Sequence, residues 1–225
     1  MTDFDTTLRQ LQHGDSFFPS GSIAFSFGLE TLLADAHVSG ADGVESFLVA
    51  QLRSRWATME WGFLAAAWEA VELPALLAVD AQVELMTFPR ELREGSKRAG
   101  AALLTVHNEL ATAGVAAFSA ARDEGVTAGH LTVVQGMAWK SCGLARDDCG
   151  LLGAHTFCVA VLGSALRLGM IGHLSAQKIL TTVRPYIVAA LEQGPPVLAR
   201  LHAYTPVAEI AVMRHEMQAS RLFSN

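Results

Sequence analysis

The stretch DGVESFLVAQLRSRWATMEWGF, Asp42 to Phe63, decides what kind of fold this chain makes. Val44, Leu48, Leu52, Met59 and Phe63 fall within about 100° of one another on a 3.6-residue wheel, the signature of an amphipathic helix. A strand would throw successive side chains to opposite faces and scatter this set. Asp42 to Glu45 has the spacing of a capping box, and the pattern predicts one long helix ending before Pro74. The same period recurs in windows at about 75–86, 90–110, 114–122, 130–142, 147–171, 175–192 and 206–223. Pro89 and Pro206 stand where a first helical turn tolerates proline, whereas Pro185 lies inside a pattern and is expected to kink or split it. No alternating Val/Ile/Thr run bounded by turns offers a home for a strand. The expectation is an all-α, single-domain bundle of about eight to ten helices over residues 1–225. Within it, 1–36 is an N-terminal interface segment and 203–225 a C-terminal helical arm. AGHLTVVQG and GPPVLARLHAYTP read as loops, the second leaving the last helix as a mobile arm.

Composition narrows the function. With 225 residues a core needs no staples, yet 51% of the residues are hydrophobic, 17% are charged and the mean hydropathy is +0.32. That apolar excess points to surfaces covered by partners. A net charge of −6 without a Lys/Arg run argues against nucleic acid and against an anionic membrane surface. Cys142, Cys149 and Cys158 form no CxxC and leave one thiol over in any disulfide scheme, which suits a reducing cytoplasm and small core residues. MTDFDTTLRQ is acidic and polar, unlike a secretory signal. LLGAHTFCVAVLGSALRLGMIG, Leu151 to Gly172, is interrupted by His155 and Arg167, so it reads as a buried central helix rather than a bilayer span.

Both ends of the chain carry helices unlike plain core. In DSFFPSGSIAFSFGLE, Asp15 to Glu30, Pro19 and Gly21 fit the second and fourth positions of a type I turn, after which a helix can run from about Ile23. On its wheel Phe25, Leu29, Leu32, Leu33 and Ala36 form one apolar stripe, and Ile23, Phe27 and Ala34 another nearly opposite, with Glu30 among them. One stripe packs inward; the other is either buried in a large bundle or left for a partner. Gly28, beside Ala24 and Thr31, makes a small flank for close approach of another backbone. In TPVAEIAVMRHEMQASRLFSN, Val207, Ile210, Ala211 and Met217 share a stripe from which Arg214 and Arg221 also project. An arginine there snorkels to the rim, meets an internal acceptor such as Glu30, or meets an acceptor on another protein.

A search for chemistry returns little. His13, His37, His107, His130, His155, His173, His202 and His215 form no HExxH, and no GxxxxGK[ST], GxGxxG or GxSxG occurs. Arg214, His215 and Glu216 are neighbours in sequence and do not face one point on a helix. REGSKRAG, Arg93 to Gly100, reads as a solvated basic face or, alternatively, a docking patch for an acidic partner, Asp147 and Asp148 as a helix cap, and Cys158 as an inert thiol. No catalytic residue and no metal ligand is assigned.

The two end segments resemble the urease accessory protein F (UreF) family, in which the first motif reads like D-S-A-F-P-T-G-G-F-A-H-S-F-G-L-E and the last helix carries R-H-E and closes on S-R-L-F. LREGSKRAGAALL and GHLTVVQGMAWKSCGL stand where similar segments are expected, so the likeness spans nearly the whole chain. The resemblance implies an all-α homodimer that is not an enzyme. It implies work with the scaffold protein UreD (or UreH) and the GTPase UreG during nickel insertion into the urease apoprotein, with no cofactor of its own. Carried over by position are Phe18, Pro19, Gly21, Ser26, Gly28, Leu29 and Glu30, and Arg214, His215, Glu216, Ser220, Arg221, Leu222 and Phe223. The partner-binding set expected here is Ile23, Phe27, Gly28, Glu30, Arg214, His215, Glu216, Arg221, Leu222 and Phe223, while Phe18, Pro19, Gly21, Ser26 and Leu29 shape the motif. Phe17, Ser22, Ile23 and Phe25 depart from the usual Ala, Gly, Phe and frequent His, so no histidine at position 25 handles nickel. Two rival readings remain: Arg221 as a charge-stabilising finger for a partner GTPase, and a cofactor-independent helical enzyme with His107, His130, His155 and His173 gathered in its core.

Overall fold

A computed structural model of the chain describes residues 4–19, 25–218 and 222–223. Among them every regular element is helical: α1 (Phe4–Gly14), α2 (Leu29–Ala34), α3 (Gly40–Gln51), α4 (Trp61–Glu69), α5 (Leu73–Met86), α6 (Arg90–Glu109), α7 (Val115–Asp123), α8 (Leu131–Ser141), α9 (Arg146–Arg167), α10 (His173–Gln193) and α11 (Pro206–His215). The all-α class is found, and so are the windows read from periodicity, except that the last, 206–223, is helical only to His215. Residues 20–24, 219–221 and 224–225, and with them the expectations at Gly21, Ile23 and Arg221, lie outside the described residues.

The long helix opening at residue 42 differs in three ways. It starts at Gly40 with Ser39 as N-cap and makes no side-chain cap bond, so Asp42 and Glu45 are not a capping box. Between α3 and α4 the backbone winds as a π-helix, Leu52–Glu60. The wider turn changes the face that later residues present. Val44, Leu48 and Leu52 therefore join one hydrophobic cluster, with Trp56 and Trp61, while Met59 and Phe63 join a second, with Leu103, Phe118 and Val134. Helix α4 is the wall between the clusters and buries both its faces. The π segment also frees carbonyls: Ser54 O accepts from Tyr204 N at 2.8 Å and Thr58 O from His202 N at 3.1 Å, tying the loop before α11 to the bundle.

Helix α9 runs through the centre, against α1, α3, α4, α8 and α10. By length and apolarity it matches a membrane span, but 61% of its most apolar 18-residue window is buried by the rest of the chain, as the interruptions at His155 and Arg167 predict. Pro185 lies inside a continuous α10, so it does not split that helix. Helix α1 falls in a segment that the periodicity reading left unassigned, although Phe4, Leu8 and Leu11 recur at helical spacing; the three face outward. The REGSKRAG segment is only half solvated: Gly95, Ala99 and Gly100 are buried, and Lys97 bonds Glu84 and Glu94, each at 3.1 Å. AGHL is ordered from below by Asp80 of α5, 1% exposed. Its carboxylate accepts from Thr127 Oγ1 and from the backbone N–H groups of Ala128, Gly129 and His130, all within 2.9 Å, and the chain enters α8 at Leu131 rather than continuing as a loop.

Candidate functional site

The first and last motifs, some 190 residues apart in sequence, meet in one seam. Residues 25–28 of the first are not helical, and α2 begins only at Leu29. Asp15 accepts from Phe17 N through its side chain (2.8 Å) and from Phe18 N through its carbonyl (2.9 Å), making a tight turn. Pro19 follows it, exposed. Phe27 has φ +52° and Gly28 φ +88°, so the backbone reverses hand just before α2, where glycine adopts the conformation without strain. The space is as demanding as the angle: a Cβ on Gly28 would stand 2.8 Å from Ala208 O and 3.2 Å from Ala211 Cβ of α11. The small flank does admit another backbone, and it is this chain's own. Ser26 and Leu29 are fully buried, and Leu29 N bonds Ser26 O at 2.9 Å. Phe25 packs its ring onto Gly95, where any Cβ would overlap it, and its carbonyl accepts from Ser164 Oγ. Phe27, read as the outward stripe, is half-buried and packs edge-on against Phe157 at 5.1 Å.

Helix α11 is docked against α2 and α6, not held off as an arm. Its stripes also differ from the wheel reading. Ala208, Ala211, Val212 and His215 face inward, whereas Val207, Ile210, Met213 and Met217 face solvent. The tripeptide 214–216 sends each side chain to a different element. Arg214 pairs with Asp35 at the end of α2, Glu216 with Arg90 at 2.9 Å, and His215, fully buried, lies between two carboxylates. Its Nδ1 is 2.9 Å from Glu91 Oε2 and its Nε2 3.0 Å from Glu30 Oε2. Each ring nitrogen thus has a carboxylate oxygen within hydrogen-bond distance. Glu30 also accepts the backbone N–H groups of Leu222 (2.6 Å) and Phe223 (3.2 Å), and Arg167 lies over the buried Phe223 ring at 4.4 Å. Arg214 therefore has the internal carboxylate partner that the sequence left as one of three options. Glu30 serves His215 and the C-terminal backbone instead.

The expected chemistry-bearing histidines do not share a cavity. His130 is buried on Glu84 at 2.8 Å, while His155 and His173 are exposed on α9 and α10. His107 instead lies against His13, ring centroids 5.3 Å apart, with Cys142 beside them. Burial pushes the His107 imidazole down to about 4, aided by the His13 charge, and lowers His13 as well. Burial likewise pushes the Cys149 and Cys158 thiols up to about 12 and raises Cys142, as an inert Cys158 predicts. Sequence reasoning missed the grouping of His13, His107 and Cys142, since no local spacing connects positions so far apart.

A family model described as UreF matches residues 38–184. The chain is 30% identical to the urease accessory protein UreF of Trichodesmium erythraeum over its whole length and 99% of that protein. It is 28% identical to the protein of that name from Haemophilus influenzae (strain PittGG), covering 99% of this chain and 96% of the relative. For that of Actinobacillus pleuropneumoniae the identity is 27%, over 93% and 94%.

Proposed function

The chain belongs to the UreF family of urease accessory proteins, and from that membership we propose a non-catalytic assembly factor that bridges the scaffold protein UreD (or UreH) and the nickel-carrying GTPase UreG in the cytoplasm, working as a homodimer. The observation that carries this reading is the outward face of α11. Val207, Ile210, Met213 and Met217, with Tyr204 just before the helix, expose between 40% and 88% of their surface along one side. The opposite side is locked down through His215. A rigid helix with an unspent apolar ridge is the kind of surface that binds another protein. Association by such a ridge needs no bond-making residue, consistent with the sparse chemistry of the chain.

The test is capture of the scaffold and of the GTPase by this protein, with light scattering for its own mass. Ile210→Glu combined with Met213→Glu should abolish capture or dimerisation while leaving the melting temperature within about 2 °C, as exposed substitutions rarely shift stability by more than about 0.5 kcal/mol. Undiminished capture and unchanged mass in that variant would defeat the proposal.

A further inference from the structure

We propose that His13, His107 and Cys142 form a binding site for one divalent transition-metal ion of the zinc class, held by two imidazole nitrogens and a thiolate. One ligand atom from each residue lies within 4.8 Å of the other two. A tetrahedral ion with bonds of about 2.0–2.3 Å sets ligand atoms about 3.3–3.6 Å apart, so closing on the ion takes about an ångström of side-chain movement.

The outer nitrogens are already anchored, as they are in metal-ligating histidines. His13 Nδ1 lies 2.8 Å from Arg9 O, to which only a ring N–H can bond, and this leaves the Nε2 lone pair facing Cys142 Sγ at 3.9 Å. His107 Nδ1 is 2.9 Å from Thr112 Oγ1. Its Nε2 is buried with no hydrogen-bond partner, an arrangement that disfavours folding unless the atom gains a ligand. Phe18 covers the pair, 4.7 Å from the His13 ring, while Cys142 is half-buried and opens a path from solvent. All three ligands stand in or just after the last turn of α1, α6 and α8, where helix dipoles favour a cation. One imidazole pair with one thiolate suits borderline ions better than calcium or magnesium. On binding, the two imidazoles give lone pairs, Cys142 releases its thiol proton to solvent, and nothing is oxidised or reduced. This inference stands apart from the assembly role: capture of partners can fail while the ion still binds.

Titration of the purified, chelator-treated protein with Co²⁺ should give one equivalent of uptake and a thiolate-to-cobalt charge-transfer band, displaced by Zn²⁺. Cys142→Ser should abolish the band, and Cys142→Ser and His13→Gln should each weaken Zn²⁺ binding at least tenfold against a chromophoric chelator. His173→Gln, at an exposed histidine at the start of α10, should leave it unchanged, and circular dichroism establishes that each variant is folded. Absence of saturable uptake by the wild type overturns the proposal. So does a Zn²⁺ affinity that either ligand substitution leaves unchanged in a folded variant.

Discussion

Replacing His215 by alanine tests the seam most directly. The ring is fully buried, and Glu91 and Glu30, with side chains only 7% and 13% exposed, lie 2.9 and 3.0 Å from its nitrogens. Deleting one partner of a buried, hydrogen-bonded charge set costs about 3–5 kcal/mol, because the remaining carboxylates keep their desolvation penalty. In a chain of this size that is a fall in melting temperature of roughly 6–20 °C. The residue beside it supplies the control. Arg214 also pairs with a carboxylate, Asp35, but its side chain is 58% exposed, and an exposed pair contributes at most about 1 kcal/mol. Urea denaturation of His215→Ala, Arg214→Ala, Glu91→Ala and the His215/Glu91 double variant should therefore give a large, a small and a large loss, with coupling of roughly 2 kcal/mol between His215 and Glu91. Equal and small losses for His215 and Arg214 would refute the claim that the buried contact of His215 with its two carboxylates locks α11 down.

Gly28→Ala should destabilise by about 2–4 kcal/mol, since a left-handed alanine is strained and its Cβ would press on Ala208 O. Gly40→Ala, also at positive φ but with nothing within 4 Å, should lose only about 1–2 kcal/mol, and thermal melts that fail to separate the two would discount the close approach. Stability of the metal-free protein should decline as pH falls from about 6.5 toward 4. His107 is held to about 4 in the fold against an ordinary 6.5, so in that window the unfolded chain binds the extra proton; His107→Asn should flatten this limb of a denaturation series, and an unchanged slope would place the acid sensitivity elsewhere. With a thiol reagent at neutral pH the native protein should label at one cysteine, Cys142. Cys149 and Cys158 are buried with thiols pushed up to about 12, so native labelling of all three would contradict their burial.

What the sequence makes legible follows from the range of the physics involved. Helix period is local, and so windows such as 90–110 and 114–122 coincide with α6 and α7 to within a residue or two. Where the helical path itself changes, the wheel misleads. The π turns after Leu52 place Met59 and Phe63 in a different cluster from Val44 and Leu48, although all four share a stripe at constant pitch. Positive φ at Phe27 and Gly28 ends a helix that the apolar spacing alone would carry back to residue 23. The seam illustrates the other boundary. Arg214, His215 and Glu216 do point away from any common target, as consecutive helix positions must, yet that geometry is what lets one tripeptide join Asp35, Glu30, Glu91 and Arg90 at once. Excluding a metal site from sequence spacing is a weaker inference than it looks for the same reason. His13, His107 and Cys142 share no local spacing and are joined only where three helices end together, so helix packing, not sequence interval, sets their separation.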